Sequence, residues 1–259
     1  PMIYYPLSVL MKAGIKDILI ICTKKDLNNF KDLLKDGYHL GLNFSYKIQN
    51  FPNGIAESFI IADDFIGNDN VCLILGDNIF SGNNFQEYLM LAKNNLVKGN
   101  SSIFGVTVEN PCDFGVIEEH NGKIIIIEKP KQTQSNLIVS GLYFYTNDVI
   151  NISKNLKPSK RNELEVTDIN NYYISNDKLK LIRLDKDISW IDTGTHESLV
   201  EASTFFRKIE LKTSKKISCI EEIALNLGYI DAIQFEKLAN NMSNSSYGKY
   251  LKKLIKIES

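Results

Sequence analysis

Two kinds of segment alternate along the first half of the chain. Short apolar runs, which are typical of buried strands, occupy 15–22 (IKDILIIC), 70–80 (NVCLILGDNIF) and 101–108 (SSIFGVTV). The second of these ends in a Gly-Asp-Asn loop. Between them lie segments with apolar residues on one helical face, at 25–37 and 85–98. Strands that alternate with helices in this way favour an α/β fold with a mostly parallel sheet.

The pattern changes after residue 113. The segment 114–130 (FGVIEEHNGKIIIIEKP) contains two strand-like runs around His120-Asn121-Gly122, and Asn-Gly is a strong hairpin signal. Near the end of the chain, apolar residues recur at helical spacing. We therefore predict a main domain over 1–212 and a small helical subdomain over 213–259.

Composition narrows the class of protein. The 259 residues are 44% hydrophobic, which is enough for one large core. A formal net charge of -1 gives no electrostatic basis for binding nucleic acid or an anionic membrane. The 4 cysteines are scattered without a CxxC pair, and no apolar run is long enough to span a bilayer. We expect a cytoplasmic protein with no nucleic-acid or membrane partner.

Two aspartates stand where metal chemistry is expected. Asp77 follows the buried run LILG, and in open α/β sheets ligands bind beyond the carboxyl ends of the strands. Asp192 follows Trp190 in the segment SWIDTGT. Carboxylates at such places can hold Mg²⁺ on a substrate phosphate. The alternatives are a turn or cap role for Asp77 and a helix N-cap role for Asp192.

Charged residues further along the chain are weaker candidates. Glu128 and Lys129 close the run GKIIIIEKP, where the lysine could pair with a phosphate and the glutamate could bind sugar hydroxyls. Arg161 in KRNELEVTD could bind a phosphate through both prongs of its guanidinium. Solvated surface charge, or the ordinary acidic first turn of a helix, would explain the same residues without any function.

The order of the motifs says more than any one of them. Read from the N-terminus, they are PMIYYPLSVLMKAGIKDILIIC, YKIQNFPNGIAESFI, LILGDNIF, FGVIE, IEKP, VSGLYFY, NELEVTDIN and WIDTGTHESLVEASTF. This series resembles the bacterial glucose-1-phosphate thymidylyltransferases over nearly the whole chain. The resemblance implies a Rossmann-like nucleotidyltransferase fold, with a mixed, mostly parallel central sheet flanked by helices and a small C-terminal helical subdomain.

The resemblance also implies an activity and a set of site residues. The activity is transfer of a thymidylyl group from dTTP to glucose-1-phosphate, with Mg²⁺ as cofactor, in a homotetramer. The implied roles are contacts to thymine for Gln49 and Gly54, metal binding for Asp77 and Asp192, phosphate binding for Lys129 and Arg161, sugar binding for Glu128, Gly115 and Val139, and a place near the metal for Trp190. Of these, Asp77, Asp192, Lys129 and Arg161 would be catalytic.

The sequence departs from these relatives at two places. Asn53 stands where their base-recognition loop has an aspartate. Their opening strand and Gly-rich loop, of the form G-G-x-G-T-R-L, have no counterpart within 1–259. Without that central strand we expect an apolar gap in the sheet and little activity from these residues alone. The alternative is a catalytically inactive remnant that binds nucleotide or sugar, or that serves in oligomerisation.

Overall fold

The fold is described by a computed structural model that covers residues 1–120 and 122–258. The strands are β1 (Asp17–Cys22), β2 (Asn43–Ile48), β3 (Val71–Ile74), β4 (Asn78–Ser81), β5 (Ser101–Thr107), β6 (Gly115–His120), β7 (Lys123–Glu128), β8 (Leu137–Tyr145), β9 (Leu179–Arg183) and β10 (Ser189–Asp192). The helices are α1 (Tyr4–Lys12), α2 (Leu27–Leu34), α3 (Glu57–Ile61), α4 (Asp63–Ile66), α5 (Phe85–Val97), α6 (Val149–Lys154), α7 (Val166–Ser175), α8 (His196–Thr213), α9 (Ile220–Asn226), α10 (Ala232–Asn241) and α11 (Ser246–Glu258).

The central sheet is mixed, as predicted, and most of its described pairings are antiparallel. Only β1–β2 and β5–β9 are parallel ladders among the described strands. The cause is β8, a strand of 9 residues that is buried along nearly its whole length and therefore lies at the centre. β8 runs antiparallel to β5 on one side and to β3 and β6 on the other. The expected majority of parallel pairs is thus wrong, although the α/β class is confirmed.

A slot separates the β1–β2 pair from the rest of the sheet. Among the described residues, β1 pairs only with β2, and β3 pairs only with β8. A cavity of about 900 Å³ lies between β1 and β3, with Leu19, Ile21 and Leu73 among its lining residues. One edge of β3, the strand that leads to Asp77, is therefore open.

The segment 70–80, predicted as a buried strand that ends in a Gly-Asp-Asn loop, differs from the prediction after Asp77. It contains β3, a turn through Gly76, and the first part of β4. The chain changes direction because β4 pairs with β10, far along the sequence, instead of continuing beside β8. In the predicted hairpin, β6 and β7 pair antiparallel as expected, while Asn121 lies outside the described residues.

The C-terminal helices pack directly on the first part of the chain. Ile220 and Phe235 belong to the same buried cluster as Met11 of α1. The boundary predicted after residue 212 falls one residue before the end of α8 at Thr213 and stays a prediction. No helix in the described part of the chain has both the length and the apolar character needed to cross a membrane.

Candidate active site

Asp77 and Asp192 are brought together by the pairing of β4 with β10. Asp77 lies in the turn before β4, and Asp192 is the last residue of β10, opposite Asn78 in the antiparallel register. The next residue ties the two segments together, because the Thr193 N–H and Oγ1 both donate to the Asp77 carbonyl, at 3.0 and 2.8 Å. Two carboxylates that are distant in sequence therefore meet at one end of the strands.

Asn78 holds both carboxylates through one fully buried amide. Its Nδ2 donates to Asp77 Oδ1 at 2.9 Å and, more weakly, to Asp192 Oδ2 at 3.4 Å. Its Oδ1 accepts from the Trp190 Nε1–H at 2.7 Å and from the Gly141 N–H at 3.0 Å. Both ends of the amide are occupied, so the surrounding donors and acceptors fix its orientation. Our sequence analysis did not identify this residue, although its place directly after Asp77 was the available signal.

The charges at this place favour a cation. Burial raises the pKa of Asp192 and the charge of Asp77 raises it further, whereas the hydrogen bond from the Gly194 N–H, at 2.8 Å, lowers it. Mg²⁺ is commonly held by one or two carboxylates together with phosphate oxygens and water. Asp77 and Asp192 supply two such carboxylates, and the other coordination positions of a bound ion would be open to a substrate. Among the described residues, no group of three or more His, Cys, Asp or Glu side chains could hold a metal ion.

Arg161 lies among three carboxylates. Its Nη1 is 3.1 Å from Glu128 Oε1, its Nη2 is 2.8 Å from Glu163 Oε2, and its Nε is 3.9 Å from Glu165 Oε1. The other oxygen of Glu128 accepts from Thr167 Oγ1 at 2.5 Å. Arg161 remains 39% exposed, so the guanidinium could exchange a carboxylate for an incoming phosphate. Glu163, Glu165 and Thr167 belong to the motif KRNELEVTD, in which the sequence predicts only Arg161 as a site residue.

Of the remaining sugar-site candidates, Gly115 lies beside Glu128. Gly115 pairs with Glu128 across β6 and β7, and a Cβ at Gly115 would lie 3.4 Å from Glu128 Oε2 and 3.2 Å from Thr167 Oγ1. A side chain there would crowd the carboxylate. Val139 is different, because its side chain is buried in the core beneath the sheet. Only its backbone could line a pocket.

The metal-binding candidates and the sugar-binding candidates are connected. The rings of Phe114 and Trp190 meet edge to face, with centroids 5.4 Å apart. Phe114 precedes Gly115, and its carbonyl accepts from the Lys129 N–H at 3.0 Å. Lys129 is close enough for its charge to act on the Asp192 carboxylate. Lys129 adopts a φ of 41°, an uncommon backbone conformation for a residue other than glycine.

The predicted base-recognition loop has its own hydrogen-bond network. Gln49 Nε2 donates to the Gly54 carbonyl at 3.2 Å and to Glu57 Oε2 at 2.7 Å. Asn53 Nδ2 donates to Glu57 Oε1 at 2.8 Å. Glu57 therefore accepts from both amides, and it is a second residue that our sequence analysis missed.

The same loop is bound to the Arg161 segment through one residue. The Leu164 N–H donates to the Asn53 carbonyl at 2.6 Å, and the Leu164 carbonyl accepts from the Ala56 N–H at 3.2 Å. Gly54 has a φ of +103°, and a Cβ on it would lie 2.3 Å from the Leu164 carbonyl oxygen. Glycine at this position is thus required by both backbone conformation and space.

Comparison with known proteins identifies the fold family. Residues 1–209 match the model of the nucleotidyl transferase family. The chain belongs to this family. The glucose-1-phosphate thymidylyltransferase of Neisseria meningitidis is 46% identical over 258 residues, which is 99% of this chain and 89% of that protein. The enzyme of the same name from Mycolicibacterium smegmatis is 45% identical over 257 residues, covering 98% of this chain and 88% of that protein.

Solved structures of the family have the same architecture. A Bacillus anthracis protein assigned to the glucose-1-phosphate thymidylyltransferases, crystallised in complex with sucrose, gives a TM-score of 0.72 at 38% identity. The match covers 79% of this chain and 82% of that one. A UDP-glucose pyrophosphorylase in complex with UDP-glucose gives a TM-score of 0.65 at 23% identity, which supports the fold alone. The family resemblance inferred from the motifs is confirmed.

Proposed function

We propose that this protein transfers a thymidylyl group from dTTP to glucose-1-phosphate, forming dTDP-glucose and pyrophosphate. The observation that supports it best is the pair Asp77 and Asp192, held by one amide and connected through Trp190 and Phe114 to the carboxylate of Glu128 and its Arg161 partner. The relatives at 45–46% identity carry the name of this activity.

The chemistry requires positioning and charge neutralisation. A phosphate oxygen of glucose-1-phosphate forms a bond to the α-phosphorus of dTTP while the bond to the departing pyrophosphate breaks, with the two oxygens in line. Arg161 binds the sugar phosphate in place of one of its present carboxylate partners, and Lys129 contributes a second positive charge. When Arg161 moves to the phosphate, Glu128 Oε1 becomes free to accept from a sugar hydroxyl, while Thr167 continues to hold Oε2.

Asp77 and Asp192 are the residues that would hold Mg²⁺. When bound, the ion neutralises charge on the phosphoryl oxygens. The protein's own contribution is to fix the two carboxylates in advance, through the Asn78 amide and the Gly194 N–H. Such preorganisation is a large term in phosphoryl and nucleotidyl transfer.

Release of pyrophosphate tests this proposal. We expect release that requires dTTP, glucose-1-phosphate and a divalent cation together, and that stops when the cation is chelated. Assays with UTP, dCTP and other sugar phosphates define the selectivity. Release that continues without the sugar phosphate would identify a nucleotide hydrolase and overturn the proposal.

The slot beside β3 should lower the turnover rate of a polypeptide that consists of residues 1–259 alone. Because one edge of β3 is open, the turn that carries Asp77 has less support than in a continuous sheet. We infer that the 259-residue polypeptide turns over about 100-fold or more slowly than one preceded by a strand and a G-G-x-G-T-R-L loop, since removing even one positioned donor costs about that much. Equal rates would show that the slot has no catalytic consequence. Nucleotide binding without turnover in both would favour the inactive alternative.

We also propose a homotetramer in the cytoplasm. The apolar side chains of Leu199, Val200 and Leu211 on α8 are exposed, and such residues are available for contacts between subunits. The free thiols of the four cysteines are consistent with a reducing compartment. Sedimentation equilibrium of the purified protein tests the assembly state.

A further inference from the structure

We propose that Glu57 is a positioning residue that sets base selectivity, by fixing the side-chain amide of Gln49 so that the site accepts thymine or uracil and rejects cytosine. This inference rests on the proposed function, because it assigns the Gln49–Gly54 loop to the base of the nucleotide. Glu57 itself is not required to touch the substrate.

Glu57 fixes the orientation of two side-chain amides, those of Gln49 and Asn53. A carboxylate can only accept hydrogen bonds, and both oxygens of Glu57 are occupied, one by Gln49 and the other by Asn53. Each amide must therefore point its NH₂ group at Glu57. For Gln49 the Gly54 carbonyl imposes the same orientation, because it too accepts from Nε2. Turning the Gln49 amide over would place its oxygen against two acceptors.

With the Gln49 amide in this orientation, one polar group of Gln49 and one of Gly54 remain available to a ligand. Within residues 1–120 and 122–258, the Gln49 Oε1 atom has no hydrogen-bond donor and the Gly54 N–H has no acceptor. The two residues are neighbours, since they are joined by the 3.2 Å bond from Nε2 to the Gly54 carbonyl. The loop thus presents one acceptor and one donor that the protein itself does not use.

The two available groups distinguish between the bases. Thymine and uracil carry an N3–H donor next to an O4 acceptor, whereas cytosine carries an N3 acceptor next to an N4 amino donor. The acceptor of Gln49 and the donor of Gly54 complement the first edge. Against cytosine both positions are mismatched. A site that leaves buried polar groups unpaired discriminates strongly, as shown by enzymes that select for a single hydroxyl group.

The contact between Asn53 and Glu57 explains why an asparagine stands where the relatives have an aspartate. An aspartate at position 53 would face the Glu57 carboxylate across the 2.8 Å contact that the Asn53 amide now makes. Asn53 and Glu57 therefore match each other as a donor and an acceptor. Combining Asn53→Asp with Glu57→Gln would exchange the amide and the carboxylate between the two positions. The pair would again consist of one donor and one acceptor. In the double variant the introduced amide can accept from Gln49 while it donates to position 53. In Glu57→Gln alone, an amide that accepts from Gln49 turns its NH₂ group towards the Asn53 NH₂ group, so it no longer fixes the Gln49 amide.

The experiment compares dTTP and dCTP binding by calorimetry in the wild-type chain, in Glu57→Gln, in Asn53→Asp and in the double variant. We expect each single change to lower the dTTP:dCTP affinity ratio by about 10-fold or more, the size of one charge-assisted hydrogen bond. We expect the double variant to return to within about 3-fold of the wild type, because contacting residues are not additive. Glu87→Gln, the same charge change at an exposed position of α5, is the matched control and should keep the wild-type ratio.

Each result decides for or against the role of Glu57. A ratio that stays at the wild-type value in a folded Glu57→Gln protein overturns it. So does equal weakening for both nucleotides, which a purely structural role at the start of α3 would produce. Lack of any preference for dTTP in the wild type overturns it as well. A dTTP preference that falls in both single variants and returns in the double variant, combined with no pyrophosphate release, would instead count against the proposed activity and leave the role of Glu57 supported.

Discussion

Replacing Asn78 with aspartate tests whether the two candidate metal ligands depend on one amide. Asn78→Asp keeps an acceptor for Trp190 Nε1–H and the Gly141 N–H, so the contacts that orient the strands remain. It removes the donor that now serves Asp77 and Asp192 and puts a third carboxylate beside them. The change is therefore nearly isosteric and acts almost entirely on the charges.

The expected loss follows from these contacts. Hydrogen bonds to charged groups contribute about 1.5–3 kcal/mol each, and the 3.4 Å contact to Asp192 is the weaker of the two. We therefore expect the free energy of unfolding to fall by about 2–4 kcal/mol without divalent cations. For a chain of this length that corresponds to a melting temperature lower by roughly 5–15 °C. A divalent cation among three carboxylates should recover much of this loss, because binding to the folded state alone stabilises it.

Trp190 makes the assay direct. It is the only tryptophan in the chain, and its Nε1–H donates to Asn78, so its emission reports on the site itself. Urea unfolding followed by this emission, with and without millimolar Mg²⁺, gives both free energies. Asn95→Asp is the matched control: Asn95 donates to Ser102 Oγ at 3.0 Å, and its replacement should give a loss that Mg²⁺ does not change.

Two results would contradict the reasoning separately. A variant as stable as the wild type without cations would show that the Asn78 amide does not hold the carboxylates. A destabilised variant that Mg²⁺ fails to rescue, beyond its effect on the wild type, would show that Asp77 and Asp192 do not share a cation.

Three further predictions concern other parts of the molecule. Asp192→Asn should lower pyrophosphate release by about 100-fold or more in steady-state assays, and unchanged kinetics would reduce Asp192 to its contact with the Gly194 N–H. Gly54→Ala should raise KM for both substrates because its Cβ meets Leu164, whereas Gly99→Ala, with φ +75° and open space around it, should affect stability alone. Burial raises the pKa of Glu221 above its usual 4.5, so the folded state binds the proton more tightly and the free energy of unfolding should fall as pH rises through and above 4.5. Glu221→Gln should make that decline shallower in urea titrations across this range, and an unchanged slope would contradict it.

Local pattern was sufficient for the elements whose neighbours are close in sequence or whose burial is continuous. Segment 15–22 predicted β1, and 101–108 predicted β5, within two residues at each end. It missed the division of 70–80 between β3 and β4, because the expected Gly-Asp-Asn loop ends at Asp77 and Asn78 begins a second strand. The division depends on the partner of β4, which is β10, and a pairing of such long range leaves no mark on the local alternation of apolar and polar residues.

The site shows the same limit in a different form. Asp77 and Arg161 could be named from their place in the sequence and Gln49 from the resemblance, whereas Asn78 and Glu57 are identified only by their contacts. An asparagine after Gly-Asp suggests a turn, and a glutamate at the start of a helix suggests the ordinary acidic first turn. Both explanations are correct locally. They omit the fact that each side chain satisfies two functional groups at once.

These linking residues explain how a site assembled from loops can be ordered. Loops are usually mobile, and function placed on them requires support from contacts elsewhere. Here Leu164 fastens the Gln49–Gly54 loop to the Arg161 segment through two backbone hydrogen bonds. Asn78 fastens the turn of Asp77 to the end of β10. A sugar phosphate that changes the contacts of Arg161 should therefore also shift the loop assigned to the base. We expect binding of the sugar phosphate and binding of the nucleotide to be energetically coupled.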